Sequence, residues 1–399
     1  MAKKIKPKKS KPKSRSLKPA VKKAAVSSGR VIYMDYAAST PVRKEVIDAM
    51  LPYMGEKFGN PSSPHGYGQE AREAIEESKE RIAKTINASP EEIVFTSGST
   101  ESSVLGIKGI AYAKAGTGKH ILSSVIEHDS VFSTCKSLVA DGYMLSNLLV
   151  DIDGLISIAD LRSKITPKTT LISIQHSNGE VGTIQPIEDV GRIAKEKNVT
   201  LHTDATFSYG WVPLDVKRMN VDLMTFDAHH SYGPKGIGAL FIKEGTQIKP
   251  LLNSRGNQFR PGTLDIASMV GFATAAELAH KEMKSNYKNL VKMQKTFIDY
   301  VEENIKFVKL NGHISRRLPQ NINFSFSGIT GQELIKQLES NKVIASTSID
   351  GRVLEAIGAK GEKFTGSVRF SFGKDTSPAD VKTVLHLVQT LVERERKSY

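Results

Sequence analysis

Residues 222–240 read DLMTFDAHHSYGPKGIGAL. The run opens on seven residues of strand length, DLMTFDA, whose apolar centre suits a strand buried on both faces. It then delivers Asp227, His229 and His230 to what would be the strand's carboxyl end. Three more runs share this form: HILSSV at 120–125, TTLISIQ at 169–175 and VTLHTDA at 199–205. Helical stretches such as PIEDVGRIAKEKN at 186–198 lie between them. The alternation predicts an α/β fold, a mostly parallel sheet with helices on both faces. Such sheets bind ligands outside the carboxyl ends of their strands. Here those ends carry Glu127–His128, Asn178–Gly179, Asp204 and Asp227–His230.

Downstream, a helix-compatible stretch from about Ile266 to Asn304 leads to NINFSFSG, GQELIKQLESN, SVRFSFG and a final amphipathic helix near Pro378 to Arg394. The expected organisation is a large domain over 31–265, then a linking helix and a smaller α/β domain over 266–399. The segment 31–50 is expected to pack on the smaller domain.

Bulk composition narrows the class. Hydrophobic residues make up 39% and charged residues 25%, the ordinary globular range. The 399 residues exceed what one small core accommodates. No run of 18 apolar residues occurs, so no membrane partner is expected. One cysteine rules out an internal disulfide and suits a reducing, cytoplasmic setting. The net charge of +14 is concentrated in residues 1–30, which hold twelve Lys or Arg and no acidic residue. The other 369 residues carry about +2. This Lys-, Pro- and Ser-rich tail is read as disordered, without the apolar core of a secretory signal. An anionic partner such as nucleic acid is one reading of it; a solubilising arm is the other.

Ten stretches, in order, carry a family resemblance: MDYAASTPV, FGNPSSPHGYG, EIVFTSGSTES, EHDSV, HSNGEVGTIQPI, HTDAT, VDLMTF, GPKGIGALF, RPGT and SVRFSFG. Together they resemble the cysteine desulfurases, pyridoxal-phosphate enzymes of fold type I in the class V aminotransferase superfamily. The likeness is nearest the group that supplies sulfur for iron–sulfur clusters. It implies pyridoxal 5′-phosphate as cofactor, a dimer, and a set of site residues. Ser99 and Thr100 would open a helix whose free N–H groups hold the phosphate. His128 would stack on the cofactor ring, and Asp204 would keep the ring nitrogen protonated. His229 would face the phosphate, Thr263 would reach the neighbouring subunit's phosphate, and Arg369 would clamp a substrate carboxylate.

Departures from that pattern are as informative. The family's imine-forming lysine follows the equivalent of His229; here that residue is His230, and imidazole has no primary amine. The family's nucleophilic cysteine lies on a loop that here reads STSIDGR. The single thiol, Cys135, shares a helical face with Val131, Leu138 and Val139 and is read as a core residue. Gly179 and Phe207 stand where the family has an asparagine and a glutamine, and Asp227 where it has a phosphate-binding serine. No metal site is expected, because His229 and His230 would point apart on an extended chain.

These residues leave three readings. The first is a catalytically degenerate desulfurase-like protein that binds the cofactor weakly or not at all. It would pair with itself or with an active relative and act as a regulator or scaffold in sulfur transfer. The second is an active pyridoxal-phosphate enzyme with altered, lysine-independent chemistry; at the catalytic positions stand His128, read as vestigial, and His230, which cannot form an imine. The third is a nucleic-acid-associated protein acting through its tail.

Overall fold

The structure is a computed structural model, and it describes residues 29–252, 259–348, 351–359 and 366–397. The tail reading falls on residues 1–28, outside the described residues, and so does part of the STSIDGR loop.

The four strand runs lie side by side in a seven-stranded sheet. Its order is Ile93–Thr96, Gly238–Ile242, Leu223–Asp227, Thr200–Asp204, Thr169–Ser173, His120–Ser124 and Met144–Leu148. Only Gly238–Ile242 runs against its neighbours; the other pairings in the sheet are parallel. The five central strands are buried along their whole length, which accounts for their unbroken apolar reading. Helices cover the sheet with two apolar clusters. One includes Leu122, Ile172, Leu201, Met224 and Phe226, and the other includes Ile121, Leu171, Leu223 and Leu240. Adjacent strand residues point to opposite faces, so strands such as Leu223–Asp227 and Thr169–Ser173 feed both clusters.

The stretch expected to link the two parts is one helix, Ile266–Asn304, about 58 Å long. The Asp265 carboxylate caps it by accepting from the Ser268 N–H at 3.1 Å. Its first turns, with Met269, Phe272 and Ala276, pack on the large sheet's cluster. Its last turns, with Leu290, Phe297 and Val301, join a separate cluster under a four-stranded antiparallel sheet. That second sheet holds Ser346–Thr347, Ser367–Ser371, Asn321–Phe326 and Val308–Leu310. The final helix, Pro378–Arg396, starts with a Ser377–Asp380 capping box and proline in its first turn. Near the start of the described chain, Ile32–Tyr33 pairs with Val343–Ile344, and Asp35 bridges Ser371. The bridge from Asp35 to Ser371 brings Asp35 beside Arg369.

No helix among the described residues is long and apolar enough to cross a membrane.

Candidate functional site

Between the carboxyl ends of the large sheet's strands and the edge of the second sheet lies a cleft of about 720 Å³. Ser99, Thr100, His128, Asp204, His229, His230 and Arg369 all line it. Thr263 does not; it is exposed, away from this lining.

One wall is the start of the helix Ser99–Ala113, capped by Gly98 at φ 151°, a backbone state suited to glycine. A Cβ on Gly238 of the reversed strand would stand 2.7 Å from Gly98 backbone atoms, so glycine there lets the helix start press onto the sheet. Facing it is the turn that follows Leu223–Asp227. His229–Ser231 forms one 3₁₀ turn, ended by Tyr232 in the left-handed conformation at φ 64°. Thr40 Oγ1 donates to the His229 carbonyl at 2.7 Å and accepts from the Tyr232 N–H at 2.8 Å. Trp211 Nε1 donates to the His230 carbonyl at 3.0 Å. Segments distant in sequence therefore hold this turn.

The carboxylate of Asp227 is the centre of the turn. It accepts from Ser99 Oγ at 2.9 Å, lies 2.8 Å from His230 Nδ1 and 3.2 Å from His229 Nε2, and its side chain is only 1% exposed. Burial alone would raise its pKa. The attraction and hydrogen bonds of His230 and His229 overcome that and hold it well below the usual carboxylate range. The expectation that the two histidines point apart is therefore corrected. On a 3₁₀ turn their rings stand 4.0 Å apart, centre to centre, and both reach one carboxylate. An extended chain would alternate them; the turn does not.

Beyond Asp227 the strand ends carry two more buried carboxyls. Burial raises the Asp204 pKa, against the opposing pull of His128 and the hydrogen bonds from Thr206. Glu127 is pushed up to about 8 by burial, although Ser124 Oγ and the Gln175 N–H donate to it. Asp204 raises it further.

Phe207 lines the cleft too, its ring edge-on to His230 at 4.9 Å and tilted toward His128 at 6.2 Å. A Cβ on Gly179 would stand 2.4 Å from Phe207 Cζ. The two residues that read as separate departures in sequence are thus one packing arrangement, an aromatic ring lying where only glycine leaves room.

The second sheet contributes Arg369. Its Nη2 is 2.8 Å from Asp35 Oδ1, and its Nη1 donates to the Gly179 carbonyl at 3.2 Å. Asp35 lies inside one of the quoted motifs, yet nothing local marks it as the arginine's partner. Arg352 also lines the cleft, donating to the Val125 carbonyl at 3.0 Å with its guanidinium over the Phe132 ring. Sequence reading missed it, because no local pattern announces a contact spanning more than 200 residues.

Cys135 lies in the helix Asp129–Ala140, 1% exposed, and burial pushes its thiol up to about 12. Val131 and Leu138 are buried with it, but Val139, expected on the same face, is exposed.

The parallel sheet, the cleft at its strand ends and the second sheet are the architecture of pyridoxal-phosphate-dependent transferases of fold type I. The aminotransferase class-V family model matches residues 32–384, and the chain belongs to that family. It is 44% identical over 377 residues to the cysteine desulfurase IscS of Dictyoglomus turgidum, covering 92% of this chain and 96% of that protein. With the cysteine desulfurase IscS of Methanosarcina thermophila it shares 42% over 380 residues, 93% and 94% of the two chains. Among solved structures, a NifS-like protein superposes with a TM-score of 0.87 at 33% identity, covering 91% of this chain and all of that one. The chain is cysteine desulfurase-like, within a family of pyridoxal-phosphate enzymes.

Proposed function

We propose that this chain is a desulfurase-like protein that does not carry out the desulfurase reaction and serves sulfur transfer as a regulator or scaffold. The reading is carried by one observation. Among the described residues lining the cleft there is neither a lysine nor a cysteine. Desulfuration needs a primary amine to hold the aldehyde cofactor and a thiol to receive the sulfur atom. His230 offers imidazole in place of the first, and Ser346, Thr347 and Ser348 offer hydroxyls in place of the second. Cys135, buried in the helix layer with a raised pKa, is no substitute.

The donors of the helix-start wall also fit a cofactor phosphate poorly. Ser99 Oγ is engaged by Asp227, and a carboxylate beside a phosphate dianion repels it by about 1 kcal/mol or more. Weak or absent cofactor binding follows. What the cleft residues do instead is satisfy one another: Asp227 with both histidines, Arg369 with Asp35, Phe207 against Gly179.

Pairing with a second chain is supported by an apolar stripe. Ile47, Leu51 and Met54 recur on one face of the helix Lys44–Met54, and all are exposed, as are Phe58 and Tyr67 beyond it. A homodimer, or a heterodimer with an active desulfurase, would cover this face.

The test is the visible spectrum of the purified full chain with added pyridoxal phosphate, followed by borohydride reduction and an assay for sulfide and alanine from L-cysteine. The expected result is no imine band, no reduced adduct and no turnover. A reducible adduct on any lysine, or turnover by the isolated chain, overturns the reading. Co-purification with an active desulfurase is the expected sign of the scaffold role; exclusive homodimers would remove the heterodimer from it.

A further inference from the structure

The turn at 227–230 gathers three ligand atoms that a metal ion recognises. One oxygen of Asp227 and one ring nitrogen each of His229 and His230 lie within 4.8 Å of one another. His230 Nδ1 stands 2.8 Å from Asp227 Oδ1 and His229 Nε2 3.2 Å from Oδ2, so both ring nitrogens already face the same carboxylate. Ligands bonded at about 2.0–2.2 Å in tetrahedral or octahedral geometry stand roughly 3–3.5 Å apart. The two contacts are to different oxygens of one carboxylate, so small rotations of both the histidines and the carboxylate would draw the three ligand atoms, now within 4.8 Å of one another, to that spacing.

We propose that Asp227, His229 and His230 bind one divalent transition-metal ion of the zinc or cobalt type, with its remaining coordination positions open to the cleft. The donor set decides the class: two imidazoles and one carboxylate suit zinc, cobalt, nickel or copper, whereas magnesium and calcium call for oxygen ligands throughout. The binding forms are an ionised carboxylate and two neutral imidazoles, so the ion would take the place of the proton between each histidine and Asp227. Each imidazole need only carry its proton on the nitrogen that faces away from Asp227.

The scaffold around the ligands is firm. Thr40 and Trp211 hold the two histidine carbonyls, and Ser99 Oγ and the His230 N–H donate to the carboxylate from outside the ligand set. The weakness is behind His229, whose buried Nδ1 has no hydrogen-bond partner. A ligating histidine without such a partner costs about 10–100-fold in affinity, so a moderate site is expected rather than a permanently filled one. The site faces a cleft of about 720 Å³, wide enough for water or a small anionic ligand to complete the coordination. This inference does not depend on the fate of the desulfurase reaction, since neither cofactor nor substrate cysteine takes part.

The experiment uses the full chain, free of any affinity tag and stripped with a chelator. Cobalt(II) is titrated while its visible ligand-field absorption is followed, and zinc stoichiometry is measured by equilibrium dialysis. The expected result is one ion per chain. Affinity should fall at least tenfold in Asp227→Asn and in His230→Gln, and stay unchanged in His280→Gln, a change at an exposed histidine outside the cleft. Should the first two variants fail to fold, the wild-type chain supplies the answer through acylation of its histidines by diethyl pyrocarbonate, mapped by peptide mass. Zinc should protect His229 and His230 and leave His280 reactive. Absence of stoichiometric binding, binding that survives both folded variants, or acylation of the pair unaffected by zinc overturns the proposal.

Discussion

The two facing walls of the cleft share one polar contact and carry opposite electrostatics. The helix start at Ser99 presents backbone N–H groups and the positive end of a helix dipole, which attract an anion. The turn at 227–230 supplies an anion of its own, the Asp227 carboxylate, 2.9 Å from Ser99 Oγ. One wall offers donors to an anion, and the other brings an anion of its own chain up to one of them. The contrast teaches that a helix start can find a charged partner within its own chain, far away in sequence.

The largest test of that contrast removes the internal anion. Asp227→Ala leaves Ser99, His229 and His230 without their shared acceptor, and should lower the unfolding free energy by roughly 3–5 kcal/mol in urea denaturation. A loss under 1 kcal/mol would mean that the two walls are not coupled through it.

A second test reads the pH dependence of the buried carboxyls. Glu127 rises from its ordinary 4.5 to about 8 in the folded chain. Between those values the unfolded chain holds fewer protons than the folded one, so this group makes stability fall as pH rises. Buried His176 and His202, lowered by burial to about 4 and 3, act in the opposite sense: below about 6.5 they make stability rise with pH. The difference between the parent and Glu127→Gln isolates the carboxyl. The variant should gain on the parent by about 1 kcal/mol per pH unit between pH 5 and 7. A flat difference would refute the raised value.

The third test concerns Phe207. Gly179→Ala, whose Cβ would meet the ring at 2.4 Å, should cost about 1–3 kcal/mol. Combining it with Phe207→Ala should recover part of that loss, a non-additivity that a double-mutant cycle measures. Additive effects would separate the two residues again.

The smallest effect is a null one. Cys135 should ignore a thiol-specific disulfide reagent in the native chain and react fully in denaturant. Native reactivity would place it outside the core.

Much of this architecture was legible along the chain. The strand at Leu223–Asp227 announced itself because burial on both faces leaves an unbroken apolar run. The helix at Ile266–Asn304 was readable end to end as one long helix-compatible stretch. Side-chain direction was harder to read. The pairing of His229 with His230 was misjudged because two adjacent residues point apart on a strand and together on a 3₁₀ turn, and what enforces the turn is Thr40, nearly 190 residues away. Val139 was assigned to the wrong face of its helix by a single step of the period.

By itself the sequence determined the fold class, the family and the types of group that reach the cleft, because periodicity and ordered motifs are local properties of a chain. Only the tertiary structure decided what those groups do to one another. That Asp227 engages Ser99 and two histidines, that Arg369 is paired with Asp35, and that Phe207 lies on Gly179 depend on contacts between residues far apart in sequence. Coulomb attraction and steric exclusion act over a few ångströms of space, and separation along the chain carries almost no information about that distance.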